Sequence, residues 1–97
     1  MAKEAQYQSK LKKKIEDRFP GAVVTKMDTS HYQGMPDLLI LYNDRWALLE
    51  VKKSETAEKR PNQEYYVDKF NEMSFSSFIF PENEKEVLNA MERSFKS

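Results

Sequence analysis

The 97-residue chain carries 16 basic and 16 acidic residues and contains no cysteine. Its length suits one modest hydrophobic core, so residues 1–97 are expected to form a single domain. It has no run of about 18 apolar residues, which excludes a membrane-spanning helix, and no signal-peptide-like N-terminus. The lack of cysteine excludes disulfides and thiolate metal sites, and it fits an intracellular, cytoplasmic location.

Charge is unevenly placed along this neutral chain. Residues 1–60 hold 12 Lys or Arg against 9 Asp or Glu, whereas residues 61–97 hold 4 against 7. A basic first half favours an anionic partner. The alternative is that charge-rich helices simply have solvated faces, and charge alone leaves both interpretations open.

The first predicted element is a helix over residues 3–18. Tyr7, Leu11 and Ile15 recur four residues apart, and Phe19 extends this apolar stripe. Four lysines lie mostly off the stripe, namely Lys10, Lys12, Lys13 and Lys14.

Three strands are predicted after this helix, which ends at Pro20-Gly21. Residues 29–35 read as a polar loop, and Asn43-Asp44 as a hairpin turn. The strands have β-branched or apolar content and span residues 22–28, 36–42 and 45–52.

The second half begins with a charged connection over residues 53–60. Pro61 suits the first turn of a helix over 61–73, and residues 74–80 read as a fourth strand. Asn83 with Glu86 three residues later predicts a capped last helix. The expected inner faces of these two helices consist of Tyr66, Val67 and Phe70, and of Val87, Leu88, Met91 and Phe95. The order α-β-β-β-α-β-α predicts a small α/β domain with a mixed central sheet flanked by helices.

The predicted hairpin brings charged side chains together at its open end. If it folds symmetrically about its turn, Asp37 lies opposite Glu50, and Lys52 shares their face. The middle of that face is apolar, with Leu39, Leu41, Trp46 and Leu48. The opposite face is also apolar, with Leu38, Ile40, Ala47, Leu49 and Val51. Apolar residues on both faces predict strands that are covered on both sides.

Two opposed carboxylates destabilise a sheet unless something offsets their repulsion. A divalent cation would do so, because carboxylate oxygens suit Mg²⁺. The alternative is a direct ion pair with Lys52 at a strand end, without any chemistry.

The full motif is Pro-Asp at 36–37 followed by Glu-Val-Lys at 50–52. It resembles the signature of the PD-(D/E)xK nuclease superfamily. The stretch GMPDLLIL over 34–41 resembles the small VRR-NUC nucleases and the archaeal Holliday-junction resolvases. The resemblance covers roughly residues 4–70 and implies a restriction-endonuclease-like core.

This resemblance implies a metal-dependent DNA endonuclease. Asp37 and Glu50 would bind Mg²⁺, with Mn²⁺ able to substitute, and the Val51 carbonyl could add a ligand. Lys52 would lie near the attacking water, as a base or as a positive charge beside the phosphate. The sequence does not decide between these roles, or between one and two metal ions.

Those families also carry a glutamate on the first helix and a glutamine after the motif lysine. Glu4 shares the stripe of Tyr7, so it is the predicted helix acid. Glu16 instead reads as a solvent ion-pair partner of Lys12 or Lys13. Gln63 lies on the inner stripe of its helix and is the predicted glutamine.

Seven basic residues are candidates for contact with the DNA backbone: Lys10, Lys12, Lys13, Lys14, Lys53, Lys59 and Arg60. His31 is the single histidine and reads as a surface loop residue, with substrate contact or a role as general base as the alternatives. Trp46 is interpreted as core or dimer packing rather than as a base-stacking residue.

A catalytically silent nucleic-acid- or protein-binding module on the same fold is the competing function. The opposed acids favour the nuclease, because a silent module has no need for them. A domain this small has little surface for reading bases, so structure-selective cutting at junctions, nicks or flaps is expected. Resolvases of this design act as homodimers, which predicts a homodimer here.

Overall fold

The structure, a computed structural model, describes residues 2–28 and 30–97, with residue 2 described by its backbone alone. A 3₁₀ turn, Pro81–Asn83, precedes the last helix. The elements are α1 (Ala2–Arg18), β1 (Val23–Lys26), β2 (Leu38–Tyr42), β3 (Arg45–Val51), α2 (Pro61–Met73), β4 (Phe75–Ile79) and α3 (Glu84–Lys96). This confirms the predicted order and fold class. The first strand is shorter than the predicted 22–28, and residue 29 of the predicted loop lies outside the described residues.

The four strands form one sheet in the order β1-β2-β3-β4. The first two pairings are antiparallel and the last is parallel, with α2 as the crossover that a parallel pair requires. Tyr42 lies opposite Arg45, and Leu38 lies opposite Leu49, so the predicted hairpin register is confirmed. Asn43 takes the positive φ of 57° that this tight turn needs.

The main core lies between one face of the sheet and the helices α1 and α3. Leu11 and Ile15 of α1 and Met91 of α3 are fully buried there. The strand residues that face them alternate along the sheet and include Val24, Leu38, Ile40, Ala47, Leu49, Val51 and Ile79.

The opposite face is covered by α2, which packs mainly on β3 and β4. There Val67 is buried, and Trp46 meets Phe70 edge to face with ring centroids 6.3 Å apart. Over β1 and β2 the same face stays open, so Val23 is 54% exposed and Leu41 is 43% exposed. The hairpin strands were predicted to be covered on both faces. This is confirmed for β3, where Leu48 is only 5% exposed, and wrong for β2, because a single crossover helix is too narrow to shield four strands.

Asn83 does not cap α3 through its side chain, although it is the N-cap residue. Its Oδ1 accepts a hydrogen bond from the Phe80 backbone N–H (2.8 Å), and its Nδ2 donates to the Phe78 carbonyl (3.1 Å). The predicted capping box with Glu86 is therefore wrong. The turn at Pro81 directs the Asn83 amide back towards β4 instead.

The helices α1 and α3 are joined through Glu84. Its Oε1 accepts a hydrogen bond from the Tyr7 hydroxyl (2.9 Å), and its Oε2 pairs with Lys14 Nζ (2.8 Å). Burial and then the bond to Glu84 raise the pKa of Tyr7, so the phenol stays protonated. Within the described residues, no helix is long and apolar enough to cross a bilayer.

Candidate active site

The hairpin positions Asp37 beside the end of β3. Leu38 and Leu49 form the last antiparallel pair, and Asp37 and Glu50 occupy the next position along the two chains. Asp37 Oδ2 accepts a 3.0 Å hydrogen bond from the Val51 backbone N–H. The Asp37 carbonyl also accepts from the backbone N–H of Met27 (2.7 Å), which ties this point to the end of β1. The predicted meeting of the two acids at the open end of the hairpin is thus what the register produces.

Glu50 is buried, with 4% of its surface exposed. Its Oε2 accepts a 3.0 Å hydrogen bond from Gln63 Nε2 and lies 3.8 Å from Lys52 Nζ. Its Oε1 is buried and has no hydrogen-bond partner among the described residues. A buried carboxylate oxygen without a partner is costly, so this atom calls for a further donor or a cation.

Gln63 joins the acid to the lysine. It is the third residue of α2, and its Oε1 accepts hydrogen bonds from Lys52 Nζ (2.9 Å) and from the Arg60 backbone N–H (3.0 Å). The second bond closes the first turn of the helix and fixes the amide in place. The structure therefore brings the predicted glutamine into contact with both Glu50 and Lys52.

Acidic side chains outnumber basic side chains in the site, with Asp37, Glu50 and Glu4 against Lys52 and Lys26. Burial, and then the neighbouring charge of Asp37, raise the pKa of Glu50 to about 8. Burial also raises the pKa of Asp37, while the Val51 N–H bond opposes this rise. The half-buried Glu4 on α1 adds to both increases, which places the predicted helix acid within electrostatic range of the pair. The Lys52 ion pair alone does not offset this repulsion.

The residues present fit a hard divalent cation. In residues 2–28 and 30–97, no three His, Asp or Glu side chains already stand close enough to hold a metal. Glu50 Oε1, however, is a buried carboxylate oxygen without a partner, and it lies in the same small region as the Asp37 carboxylate. Oxygen donors of this kind are what Mg²⁺ prefers.

The predicted phosphate-binding residues fall into two groups. Some are engaged with other side chains: Lys12 pairs with Glu16 (3.7 Å), Lys14 pairs with Glu84, and Lys59 lies over the rings of Phe78 and Phe80 (5.5 and 5.1 Å). The predicted solvent role of Glu16 is thereby confirmed. The others are exposed, namely Lys10, Lys13, Lys53 and Arg60.

Sequence reasoning missed Lys26. It lies on β1 and, with Lys12, lines a groove of about 400 Å³ between α1 and the sheet. Burial raises the pKa of Asp37 and the charge of Lys26 opposes this rise, so Lys26 stands within electrostatic range of the candidate metal ligand. The signal in the sequence is a lone lysine at the end of β1, the strand that pairs with β2 beside Asp37.

The remaining predicted residues are His31 and Trp46. His31 is exposed in the loop before the motif. Trp46 is half-buried against Phe70, which agrees with its interpretation as a packing residue. Two exposed tyrosines, Tyr32 and Tyr65, were not singled out by the sequence analysis.

No protein-family model matches the sequence, and no curated protein matches it. A solved structure described as a VRR_NUC domain does match. It is 27% identical in sequence and superposes with a TM-score of 0.60, covering 80% of this chain and 83% of that chain. The superposition and the motif hairpin lead to the same assignment. The chain has a VRR-NUC-like fold of the PD-(D/E)xK nuclease type.

Proposed function

We propose that this chain is a metal-dependent DNA endonuclease that hydrolyses phosphodiester bonds. The observation that carries the proposal is the buried Glu50, whose Oε1 lacks a partner beside a second carboxylate, Asp37, within a VRR-NUC-like fold. A site that served only binding would gain nothing from a half-buried Asp37 beside the buried Glu50, whose pKa is raised to about 8 by burial and then by the charge of Asp37.

Asp37, Glu50 and the Val51 carbonyl are the proposed ligands of Mg²⁺, with Mn²⁺ able to replace it. When bound, the ion would supply Lewis acidity for the phosphoryl oxygens and for a water nucleophile. Gln63 fixes the rotamer of Glu50 through its Nε2 and holds Lys52 Nζ through its Oε1. Lys52, only 9% exposed, would then act on the attacking water or on the phosphate charge.

The proposed substrate is branched or interrupted DNA. The domain measures 31 × 26 × 23 Å, which leaves little surface for reading a long base sequence. The exposed lysines would contact phosphates and position the DNA backbone without sequence preference. We propose cutting at junctions, nicks or flaps on these grounds.

We also propose a homodimer, because a four-way junction requires two cuts. The open face over β1 and β2, with Val23 and Leu41 exposed, offers apolar surface for a second copy. Light scattering on the purified chain tests this: twice the mass of one chain supports the proposal, and a monomer at micromolar concentration contradicts it.

The activity is tested with end-labelled duplex, nicked, flap, four-way-junction and single-stranded DNA, each incubated with Mg²⁺, Mn²⁺ or EDTA. Cleavage that requires the cation and favours branched or nicked DNA supports the proposal. Binding of these DNAs without any cleavage would identify a silent binding module and contradict it.

A further inference from the structure

Two exposed tyrosines belong to one aromatic cluster, which is formed by the loop before Asp37 and by α2. Tyr32 is 60% exposed and Tyr65 is 58% exposed, yet both rings contact Tyr66 edge to face, at centroid distances of 6.3 and 5.1 Å. Tyr66 in turn stacks on Phe70 at 5.7 Å with an interplanar angle of 17°. The exposed rings are therefore held by packing from below, which lowers the entropy cost of binding a ligand on them.

The cluster is joined to the active site by a close contact between loop and helix. Tyr32 lies in the loop that leads to Asp37, and Tyr65 lies two residues after Gln63 on α2. Loop and helix touch at Gly34, where a Cβ atom would lie 2.8 Å from the Asn62 backbone. Movement of one of these segments is thus restricted by the other.

A polar cleft of about 200 Å³ opens where the loop meets α2. Its lining residues are Gln33, Gly34, Arg60, Asn62 and Gln63. Gln63 is the residue that bonds to Glu50 and Lys52, so the cleft borders the groups proposed to cut DNA. Arg60 is exposed and offers a guanidinium that suits a phosphate.

An ordered pair of exposed aromatic rings, on the same loop and helix as an amide-lined, cationic cleft, matches the chemistry of a nucleotide. Aromatic rings stack on the face of any base, with little sequence preference. Inside an intact duplex those faces are covered by neighbouring bases, so only an unpaired base can use such rings.

We propose that Tyr32 and Tyr65 form a stacking platform for unpaired nucleobases of the DNA substrate. The proposal rests on the proposed nuclease function for the identity of the ligand. It gives the enzyme a preference for DNA with a single-stranded portion at the cut site, through stacking rather than through base-edge hydrogen bonds.

The test uses the full chain in calcium buffer and a flap DNA with 2-aminopurine in its unpaired arm. We expect the fluorescence of that base to fall on binding, and no such fall when 2-aminopurine is inside the duplex. Abasic sites in the unpaired arm should weaken binding by roughly 5- to 100-fold, which is about the scale of one stacked base. This loss should persist at high salt, because stacking releases no counterions.

Variants assign the effect to the two rings. The Tyr32→Ala/Tyr65→Ala double variant should bind intact and abasic flaps equally, whereas Tyr32→Phe/Tyr65→Phe should retain the difference. Met73→Ala is the matched control, since Met73 is 60% exposed on the same helix but ten residues from Gln63, about 15 Å along the axis. The abasic comparison needs no mutation, so it decides the matter even if the double alanine variant fails to fold.

Several results would overturn the platform. Equal binding of intact and abasic flaps by the unmodified chain is one, and an unchanged difference in the double alanine variant is another. Dissociation of a dimer by the double alanine variant would show instead that the rings pack against a second copy. If the chain cleaves DNA in Mg²⁺ but binds intact and abasic flaps equally, the platform is refuted and the nuclease function stands. If binding depends on the bases but no DNA is cleaved, the platform stands and the nuclease function is refuted.

Discussion

Gln63 donates a 3.0 Å hydrogen bond to Glu50 Oε2 and accepts a 2.9 Å hydrogen bond from Lys52 Nζ. One neutral amide thus stands between an acid and a base that are 3.8 Å apart, which is too long for a direct hydrogen bond. The amide satisfies one oxygen of Glu50 and leaves Oε1 without a partner. The arrangement is therefore complete only when a cation or another donor reaches Oε1.

The first prediction distinguishes the role of Lys52 from that of Gln63. Lys52→Ala should lower the single-turnover cleavage rate by about 10² or more and change Mg²⁺ affinity only a few-fold, because the lysine serves the reaction rather than metal binding. Gln63→Ala should weaken both rate and Mg²⁺ affinity by roughly 10-fold, since the amide orients both partners. Rapid-quench kinetics across a Mg²⁺ titration measures both quantities.

Glu64→Ala is the control for these variants, because Glu64 is the next residue on α2 and is exposed. It should keep wild-type kinetics. A wild-type single-turnover rate in Lys52→Ala would show that Lys52 takes no part in the reaction.

The second prediction concerns stability against pH without metal. The folded pKa of Glu50 is about 8 against an ordinary 4.5, so between these values the folded state holds a proton that the unfolded state has lost. Stability should therefore fall as pH rises through this range, by an amount on the order of a few kcal/mol, and then level off. Urea unfolding in EDTA at about pH 5.5 and about pH 9 measures this loss.

Glu50→Gln should lose much less stability over the same pH interval, because its side chain does not titrate. Glu72→Gln, at an exposed position near the far end of α2, should behave like the wild type. Equal pH dependence in wild type and Glu50→Gln would show that the Glu50 carboxyl is not destabilised by its surroundings.

The third prediction uses two glycines that share a positive φ. Gly21 (φ +91°) has open space around it, whereas a Cβ on Gly34 (φ +95°) would lie 2.8 Å from the Asn62 backbone. Gly21→Ala should lower the free energy of unfolding by about 1 kcal/mol, because alanine disfavours the positive φ at this position. Gly34→Ala should lower the free energy of unfolding by at least about 1 kcal/mol more, because its Cβ would collide with Asn62. It should also reduce cleavage, since this loop leads to Asp37. Chemical unfolding and cleavage assays on both variants test this, and equal costs would refute the close contact.

The fourth prediction divides the lysines of α1. Lys10 and Lys13 are exposed, so the Lys10→Ala/Lys13→Ala variant should reduce the slope of log K against log salt for DNA binding by about one per lost phosphate contact. Lys14→Ala should instead lower stability by about 0.5–1 kcal/mol, because Lys14 pairs with Glu84 across the helix interface. Salt titrations in calcium buffer and unfolding curves separate the two effects. An unchanged slope in the double variant would show that this part of α1 is only a solvated face.

The hairpin and its motif could be predicted because their geometry is local. Turn length fixes the register, and the two-residue period then places Asp37, Glu50 and Lys52 on one face. The helix α2 was likewise predicted with the observed bounds, Pro61–Met73, because Pro61 marks its start.

Features set by contacts between distant parts of the chain were not predictable. The pairing of Lys14 with Glu84 joins residues at opposite ends of the chain, and no periodic pattern encodes it. The hydrogen bond from the Asn83 side chain back to the Phe78 carbonyl depends on the path of the chain after β4. The Tyr32–Tyr66 contact arises only once the loop is seated on α2.

Cleavage of a labelled flap DNA by the wild type and by Asp37→Asn, purified in parallel, tests the central claim most directly. Asp37→Asn keeps the shape of the side chain and removes a proposed metal ligand. We predict Mg²⁺-dependent products with the wild type, none in EDTA, and a rate reduced at least about 10³-fold in the variant, since a missing metal ligand removes most of the Lewis-acid effect. Equal cleavage by wild type and Asp37→Asn, or no cleavage of flap, junction or nicked DNA by the wild type with either cation, would contradict the account.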